Sequence, residues 1–398
     1  MRLYSLSRQL RAYLLTRVFA SKHITNDTAY KSQTIAMAAI LQPTLQPHHA
    51  PRPHSIYSYA GLDRPPHLSR LELVTHKTGQ VEPLSIDVDD AQGGFVPGFL
   101  HLPPDFFTSP PQPGISTGGP QPQDAQPPHH RTSKIPSLYP GTPFSDSLGP
   151  GGVAPPSYYS QPPDAERKRL TRSPAPPAPT TDRTAVILLS GAGGGVTGPS
   201  SIFLSLACKL ATLGRGIPCL RLDYRYPTEL EPSVSDAKAG MAYLRDMYGL
   251  DRFVLVGWSF GGSVVFSAAG EDERVVGCAA VASTAVGAEG IEKLAPRPVL
   301  LLHGSADNTA SVGCSQRLWH MYGNGDRMLQ VFEGDNHSLS KNAEEAEEML
   351  CEFVARCAGI RVGQQERKDV IGAALVDDDE RRVLMEKGGD LRAPERED

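Results

Sequence analysis

From Asp182 to Ile360 short aliphatic or β-branched runs alternate without a break with segments whose apolar residues recur at helical spacing. Ala185 to Leu189, Cys219 to Leu222, Phe253 to Val256, Val275 to Val281, Val299 to His303 and Met328 to Phe332 read as strands. Between them, Ile202, Phe203, Leu206, Leu210 and Leu213 keep a three-or-four-residue period. So do Val234, Ala237, Met241 and Leu244, and later Ala346, Leu350, Phe353 and Cys357. Strands that are apolar on successive residues have no face to give to water and must be covered on both sides. Joining them through helices makes them parallel. The expected architecture is therefore α/β, a mostly parallel central sheet with helices on both faces. In a parallel sheet the loops after all such strands share one edge.

Residues 253–262, Phe-Val-Leu-Val-Gly-Trp-Ser-Phe-Gly-Gly, carry the strongest chemical signal. A strand runs into Gly257-x-Ser259-x-Gly261 and then into a helix-compatible segment. This is the context of a nucleophile elbow, a sharp turn that holds a serine oxygen up at the sheet edge. The serine backbone is strained there, and a side chain at 257 or 261 would collide with neighbouring main chain. A serine needs a base, and the base an orienting acid. The loop after Val299 to His303 carries Asp307, and the loop after Met328 to Phe332 carries His337. Both lie on the edge that carries Ser259. Asp335 is a rival acid, but it stands two residues before His337 and would need a tight reversal to reach the imidazole. His303, at a strand end, is expected to pack or bond locally, and His320 lies on a helix away from these loops.

Ser190-Gly191-Ala192-Gly193-Gly194-Gly195, Leu220-Arg221-Leu222-Asp223-Tyr224-Arg225, the elbow, His303-Gly304-x-x-Asp307 and Gly334-Asp335-Asn336-His337 together resemble the α/β-hydrolase superfamily. Within it the chain is similar to the lidless, dienelactone-hydrolase-like branch. The resemblance spans about 182–360, a little under half of the chain. It implies an α/β-hydrolase fold with antiparallel opening strands, and serine-dependent hydrolysis of ester-type bonds. The chain order Ser, Asp, His is that of these hydrolases. Two departures stand out. Dienelactone hydrolases proper carry cysteine at the elbow where this chain has Ser259, and many relatives have His-Gly where this chain has Ser190-Gly191.

A tetrahedral intermediate needs N–H donors for its oxyanion. One expected donor is the backbone N–H of Phe260. The other is that of Ala192, with Gly193 as the near alternative, in a loop where Gly191, Gly193, Gly194 and Gly195 allow close backbone approach. The same loop lacks Gly-x-Gly-x-x-Gly spacing and a Walker lysine, which argues against a phosphate cradle. Arg225 follows a strand end. It is read either as a structural arginine or as a partner for a substrate carboxylate. Only about sixteen residues separate Val281 from Pro298, too few for a cap domain, so an open site for modest substrates is expected.

The 398 residues carry a net charge of −5, and no basic stripe suggests nucleic acid. No apolar run reaches the eighteen or so residues of a membrane span. The six cysteines (Cys208, Cys219, Cys278, Cys314, Cys351, Cys357) form no metal-ligand spacing and read as free thiols of a reducing compartment. No metal or organic cofactor is expected.

Five segments follow. Residues 1–67 read as a disordered extension. Its first part, with Arg2, Arg8, Arg11, Arg17 and Lys22 and no acid before Asp27, is either a mitochondrial transit segment or lies upstream of a true start at Met37. Residues 68–102 read as the opening strands, Leu71 to Thr75, Pro83 to Val88 and Gly94 to Leu102. Residues 103–182 hold more than half of the 36 prolines and read as a disordered insert. Its run from Pro174 to Pro179 is either a docking tract for a proline-binding protein or a passive spacer. Residues 183–360 form the catalytic core, and 361–398 a charged, solvated tail with room for a short helix near 383–386.

The functional expectation is a serine hydrolase of small carboxylic esters, lactones or thioesters, cytoplasmic, or mitochondrial if the leader is translated. A peptidase or acyl-transferase on the same triad, or a slow receptor-like ligand-binding scaffold, are the alternatives.

Overall fold

The computed structural model describes residues 55–106 and 184–395. The expectations of targeting and disorder for residues 1–54, and of a proline-rich docking tract or spacer for residues 107–183, fall outside the described residues.

Eight strands form one sheet: β1 (Gln80–Asp87), β2 (Phe95–Leu102), β3 (Thr184–Leu189), β4 (Cys219–Leu222), β5 (Arg252–Trp258), β6 (Val275–Val281), β7 (Val299–Gly304) and β8 (Arg327–Phe332). Their order is β1-β2-β4-β3-β5-β6-β7-β8. β2 pairs antiparallel with both β1 and β4, and every other pair is parallel. The helices are α1 (Leu68–Thr75), α2 (Ile202–Thr212), α3 (Leu230–Tyr248), α4 (Phe260–Glu271), α5 (Gly313–Tyr322), α6 (Ala343–Cys357) and α7 (Asp378–Gly388), with shorter turns at Gln364–Glu366 and Arg367–Ile371.

The two-residue alternation of a strand explains the sandwich. Ala185, Ile187 and Leu189 point into one apolar cluster with α3 and α4, while Val186 and Leu188 point into another with α2 and α6. Both faces are therefore core, which is why the parallel strands read as unbroken apolar runs. No cap domain rises from the 282–298 connection, which holds only the single-turn helix Glu289–Lys293.

The order reverses at β3, which has β4 on one side and β5 on the other. The crevice beyond the carboxyl ends of strands at such a reversal is where ligands bind in open α/β sheets. Leu189 at the end of β3 pairs with Gly257 of β5, which sets the glycine-rich loop beside the elbow.

Three expectations need correction. Leu71 to Thr75 is not a strand but most of α1. Only Leu71 is buried on this helix, Leu73 and Val74 are exposed, and His76 ends it in a left-handed cap. The run was too short for its period to be read. The extension 1–67 also ends too late. Ile56, Tyr59 and Leu62 are buried against Phe99, Val196 and Leu204.

Residues 361–395 are not a solvated tail. Val370, Ile371, Leu375 and Met385 join the core on the α2 and α6 side. Some of the segment's charges reach back to the body of the fold. Arg381 donates to the carbonyl of Ser200 and lies 3.0 Å from Asp378, and Arg70 of α1 pairs with Asp377 at 2.6 Å.

Candidate active site

β5 ends at Trp258 and α4 begins at Phe260, so Ser259 alone makes the turn. It does so at φ 53° and ψ −118°, a conformation that costs a non-glycine residue on the order of 1–3 kcal/mol. The flanking glycines are sterically required. A Cβ on Gly257 would lie 2.2 Å from the Gly261 carbonyl oxygen, and one on Gly261 would lie 2.4 Å from those of Leu189 and Ser190. The main chains of β3, β5 and α4 touch there, and the strain at Ser259 is the result.

Asp307 and His337 arrive from the loops after β7 and β8. His337 Nδ1 lies 2.7 Å from Asp307 Oδ2, with both side chains essentially excluded from solvent. The Asp307 carboxylate is held from all sides. Oδ1 accepts the N–H groups of Thr309 and Ala310, both at 2.8 Å, and Oδ2 also lies 3.2 Å from His303 Nε2. His303 Nε2 faces the Ala310 carbonyl at 2.8 Å as well, so that nitrogen carries the hydrogen and Nδ1 accepts from the Ser315 hydroxyl at 2.7 Å. Burial disfavours the charge on Asp307, but the hydrogen bonds from His303 and His337 outweigh it and hold the carboxyl well below the usual range.

His337 is seated from behind by Trp258. The indole N–H donates to the His337 carbonyl at 3.1 Å, and the two rings lie 5.5 Å apart.

Asp335 does other work. Buried, it accepts from the N–H groups of Asn336, Lys341 and Asn342 and from the Asn342 side-chain amide. It shapes the loop that presents His337 and does not touch the imidazole. Arg225 is structural. Its guanidinium lies 2.5 Å from Asp236 and 2.6 Å from Asp90. All six cysteines are free thiols. Burial raises Cys208 to about 12, so its contact with His101 at 3.5 Å is not an activated dyad.

Of the expected oxyanion donors, Phe260 opens α4, where first-turn N–H groups have no acceptor within the helix. The Ala192 N–H points into the site and donates at 2.6 Å to the carboxylate of Glu395. The sequence reading contains no such residue. The other Glu395 oxygen lies 3.1 Å from His337 Nε2, and the Ser259 side chain is near enough to the same carboxylate to help stabilise its charge. Among the described residues Ser259 and His337 make no direct hydrogen bond to one another, and the Glu395 carboxylate interacts with both. Ser259 is 3 % and His337 1 % exposed.

With a carboxylate on each nitrogen, His337 is held as imidazolium. Burial alone would lower its pKa, but Asp307 and Glu395 push it up to about 10. Burial likewise disfavours the charge on Glu395, and His337 reverses this and lowers its pKa.

Among the described residues, His67, Asp377 and Glu380 also converge, at the surface. Arg70 already pairs with Asp377, and Glu380 accepts the Asp377 N–H as the capping box of α7, so the cluster reads as helix capping. No helix among the described residues is long and apolar enough to cross a membrane.

No curated protein matches this chain. Solved structures with a similar course include dienelactone hydrolase from Anabaena variabilis, at 13% identity and TM-score 0.43, covering 70% of this chain and 98% of that one. The esterase domain of a Rhodothermus marinus protein gives 14% identity and TM-score 0.42, over 70% and 98%. Est1E from Butyrivibrio proteoclasticus gives 14% and 0.40, over 69% and 99%. A profile of the alpha/beta hydrolase family matches residues 186–387, just over half of the chain. The match runs from β3 through the elbow, the loops that carry Asp307 and His337 and into α7, and on it the chain belongs to the alpha/beta hydrolase family.

Proposed function

We propose that this chain hydrolyses small carboxylic esters, lactones or thioesters through an acyl-enzyme on Ser259. One observation carries the reading. A serine strained at a strand-to-helix turn shares its site with an imidazole whose far nitrogen is fixed by a fully hydrogen-bonded carboxylate.

With His337 neutral, its Nε2 takes the Ser259 proton as Oγ attacks the acyl carbon. The carbonyl electrons move to oxygen, which the N–H groups of Ala192 and Phe260 receive. His337 then gives its proton to the leaving oxygen or sulfur as that bond breaks. Water, deprotonated by the same nitrogen, attacks the acyl-enzyme, and the acid leaves as Ser259 regains its proton. Asp307 fixes the tautomer and stabilises the imidazolium of each step. The short 282–298 connection supports substrates of modest size.

Ser259→Ala tests the reading. A fluorophosphonate probe should modify Ser259 in the natural chain and nothing in the variant. Turnover of a short-acyl nitrophenyl ester should fall by roughly four to six orders of magnitude in kcat. An alanine variant with unchanged turnover would refute it.

A further inference from the structure

Glu395 reaches the site on a segment fastened at three points. Asp390, fully buried, accepts the Ser190 hydroxyl at 2.7 Å, the Thr197 hydroxyl at 2.7 Å, and the N–H groups of Thr197 and Gly198 at 3.0 and 2.8 Å. Arg392 lies 3.4 Å from the Tyr59 hydroxyl and 3.7 Å from Asp223. Glu395 itself joins Ala192, His337 and Ser259.

The glycine-rich loop is shaped to this segment. A Cβ on Gly191 would lie 2.6 Å from Glu395 Oε1, one on Gly193 2.6 Å from the Arg392 carbonyl oxygen, and one on Gly195 2.5 Å from the Asp390 side chain. Three of the four glycines that leave that loop's backbone bare are thus filled by residues 390–395. The family match ends at 387, before this segment begins.

We infer that residues 389–395 are a built-in inhibitor of the active site, with the Glu395 carboxylate seated where an ester carbonyl and the departing acid would sit. The inference rests on the hydrolase reading. One carboxylate oxygen takes the Ala192 donor that an oxyanion would need. The other takes the nitrogen that must accept the serine proton. An ester cannot be attacked until the segment leaves, and the acid products of hydrolysis, carrying the same group, compete with it for the same contacts.

The test compares the natural chain with a chain ending at Arg392, which keeps Asp390 and Arg392, and with Glu395→Gln, which keeps the tail's volume and removes its charge. The second-order rate of fluorophosphonate labelling at Ser259 is measured for each, with circular dichroism to establish folding. Both variants should label at least about tenfold faster than the natural chain, the equivalent of about 1.4 kcal/mol of closure. Acetate should slow labelling of the shortened chain more than that of the natural one. Equal labelling of Ser259 in all three chains would overturn the inhibitor and leave the hydrolase standing, as would slower labelling in both folded variants. Folded variants that never label, with no ester turnover, would overturn both. If the shortened chain fails to fold, Glu395→Gln alone decides.

Discussion

Asp390→Ala measures how the last segment is held, and its effect should depend on pH in a direction the structure sets. The aspartate's two oxygens serve four donors. After truncation the Ser190 and Thr197 hydroxyls can rotate toward other acceptors, but the N–H groups of Thr197 and Gly198 cannot. Two stranded backbone donors cost roughly 1–3 kcal/mol each, so about 2–6 kcal/mol together. An opposing contribution comes from Asp390 itself. Burial pushes its carboxyl up to about 6 against the pull of its hydrogen bonds. Its charge therefore destabilises the folded chain by about 3 kcal/mol at neutral pH, and alanine relieves that.

The difference leaves a loss of only about 1 kcal/mol near pH 7.5 at the middle of the range. A raised folded pKa means that the folded state binds the proton first. The wild type therefore gains stability as pH falls from about 6 toward about 4, and the alanine variant does not. The gap between them should widen by about 1.4 kcal/mol at about pH 5 and approach about 3 kcal/mol more at lower pH. Urea unfolding followed by the fluorescence of Trp258 and Trp319 at the two pH values gives the four free energies. A gap that stays constant or narrows on acidification would refute the account of Asp390 as a buried, hydrogen-bonded carboxyl whose charge is costly.

His303→Phe keeps the buried volume but removes one of the two imidazoles on Asp307. We expect kcat to fall about tenfold with KM little changed, and the acid limb of the pH–rate profile to shift upward, as steady-state kinetics across pH would show. Lys209 and Glu347 form a buried pair at 2.7 Å. Lys209→Met should cost about 3–5 kcal/mol by stranding the carboxylate, and adding Glu347→Leu should recover much of it, read by urea denaturation. Docking of Glu395 holds a proton on His337, whose neighbours are the carboxylates of Asp307 and Glu395 and the uncharged Ser259 and Trp258, with His303 behind Asp307. Raising pH toward about 10 should therefore release the segment, and the ratio of labelling rates between the shortened and natural chains should fall as pH rises.

The parallel sheet from β3 to β8 was legible because burial on both faces leaves apolar runs in its inner strands β3, β5, β6 and β7, and helices between such runs leave little choice of topology. The strands around Val275 and Val299 could be placed almost to the residue. The elbow was legible for a different reason. Gly257, Ser259 and Gly261 record a steric constraint within five residues, and Asp307 and His337 each follow a strand that could be recognised. Leu71 to Thr75 failed because a single buried leucine fixes no period, and because α1 is held by Arg70 reaching the carbonyl of Ala374 and the side chain of Asp377, three hundred residues on. The segment after 360 failed more completely. Some of its charged residues, Asp377 with Arg70 and Arg392 with Asp223, pair with partners that no local pattern announces. Glu395 is 58 residues from His337 and 203 from Ala192. A glutamate near a chain end has the composition of a solvated tail whether or not it is buried. One signal did exist: four glycines in five positions after β3 mean that something approaches that backbone closely, but their spacing does not name residues 390–395 as what fills three of them.

The same physical features make this site fit for hydrolysis and for closure. Catalysis needs donors aimed at an oxygen that becomes negative, and an imidazole that becomes cationic beside it, both away from water so that the interactions are strong. A carboxylate delivered on a tether already has that charge and nearly that shape. It meets the donors in its ground state, without the strain of a tetrahedral carbon, and it draws the proton onto His337. In the closed state the chain of Asp307, His337 and Glu395 is anion, cation, anion, each hydrogen-bonded and none solvated. Taking the serine proton would require His337 to lose one first, against two carboxylates. A neutral side chain at position 395 could block the space but could not disable the base. The choice of glutamate, fixed by a second buried carboxylate five residues earlier, is what turns a covered site into a chemically silent one.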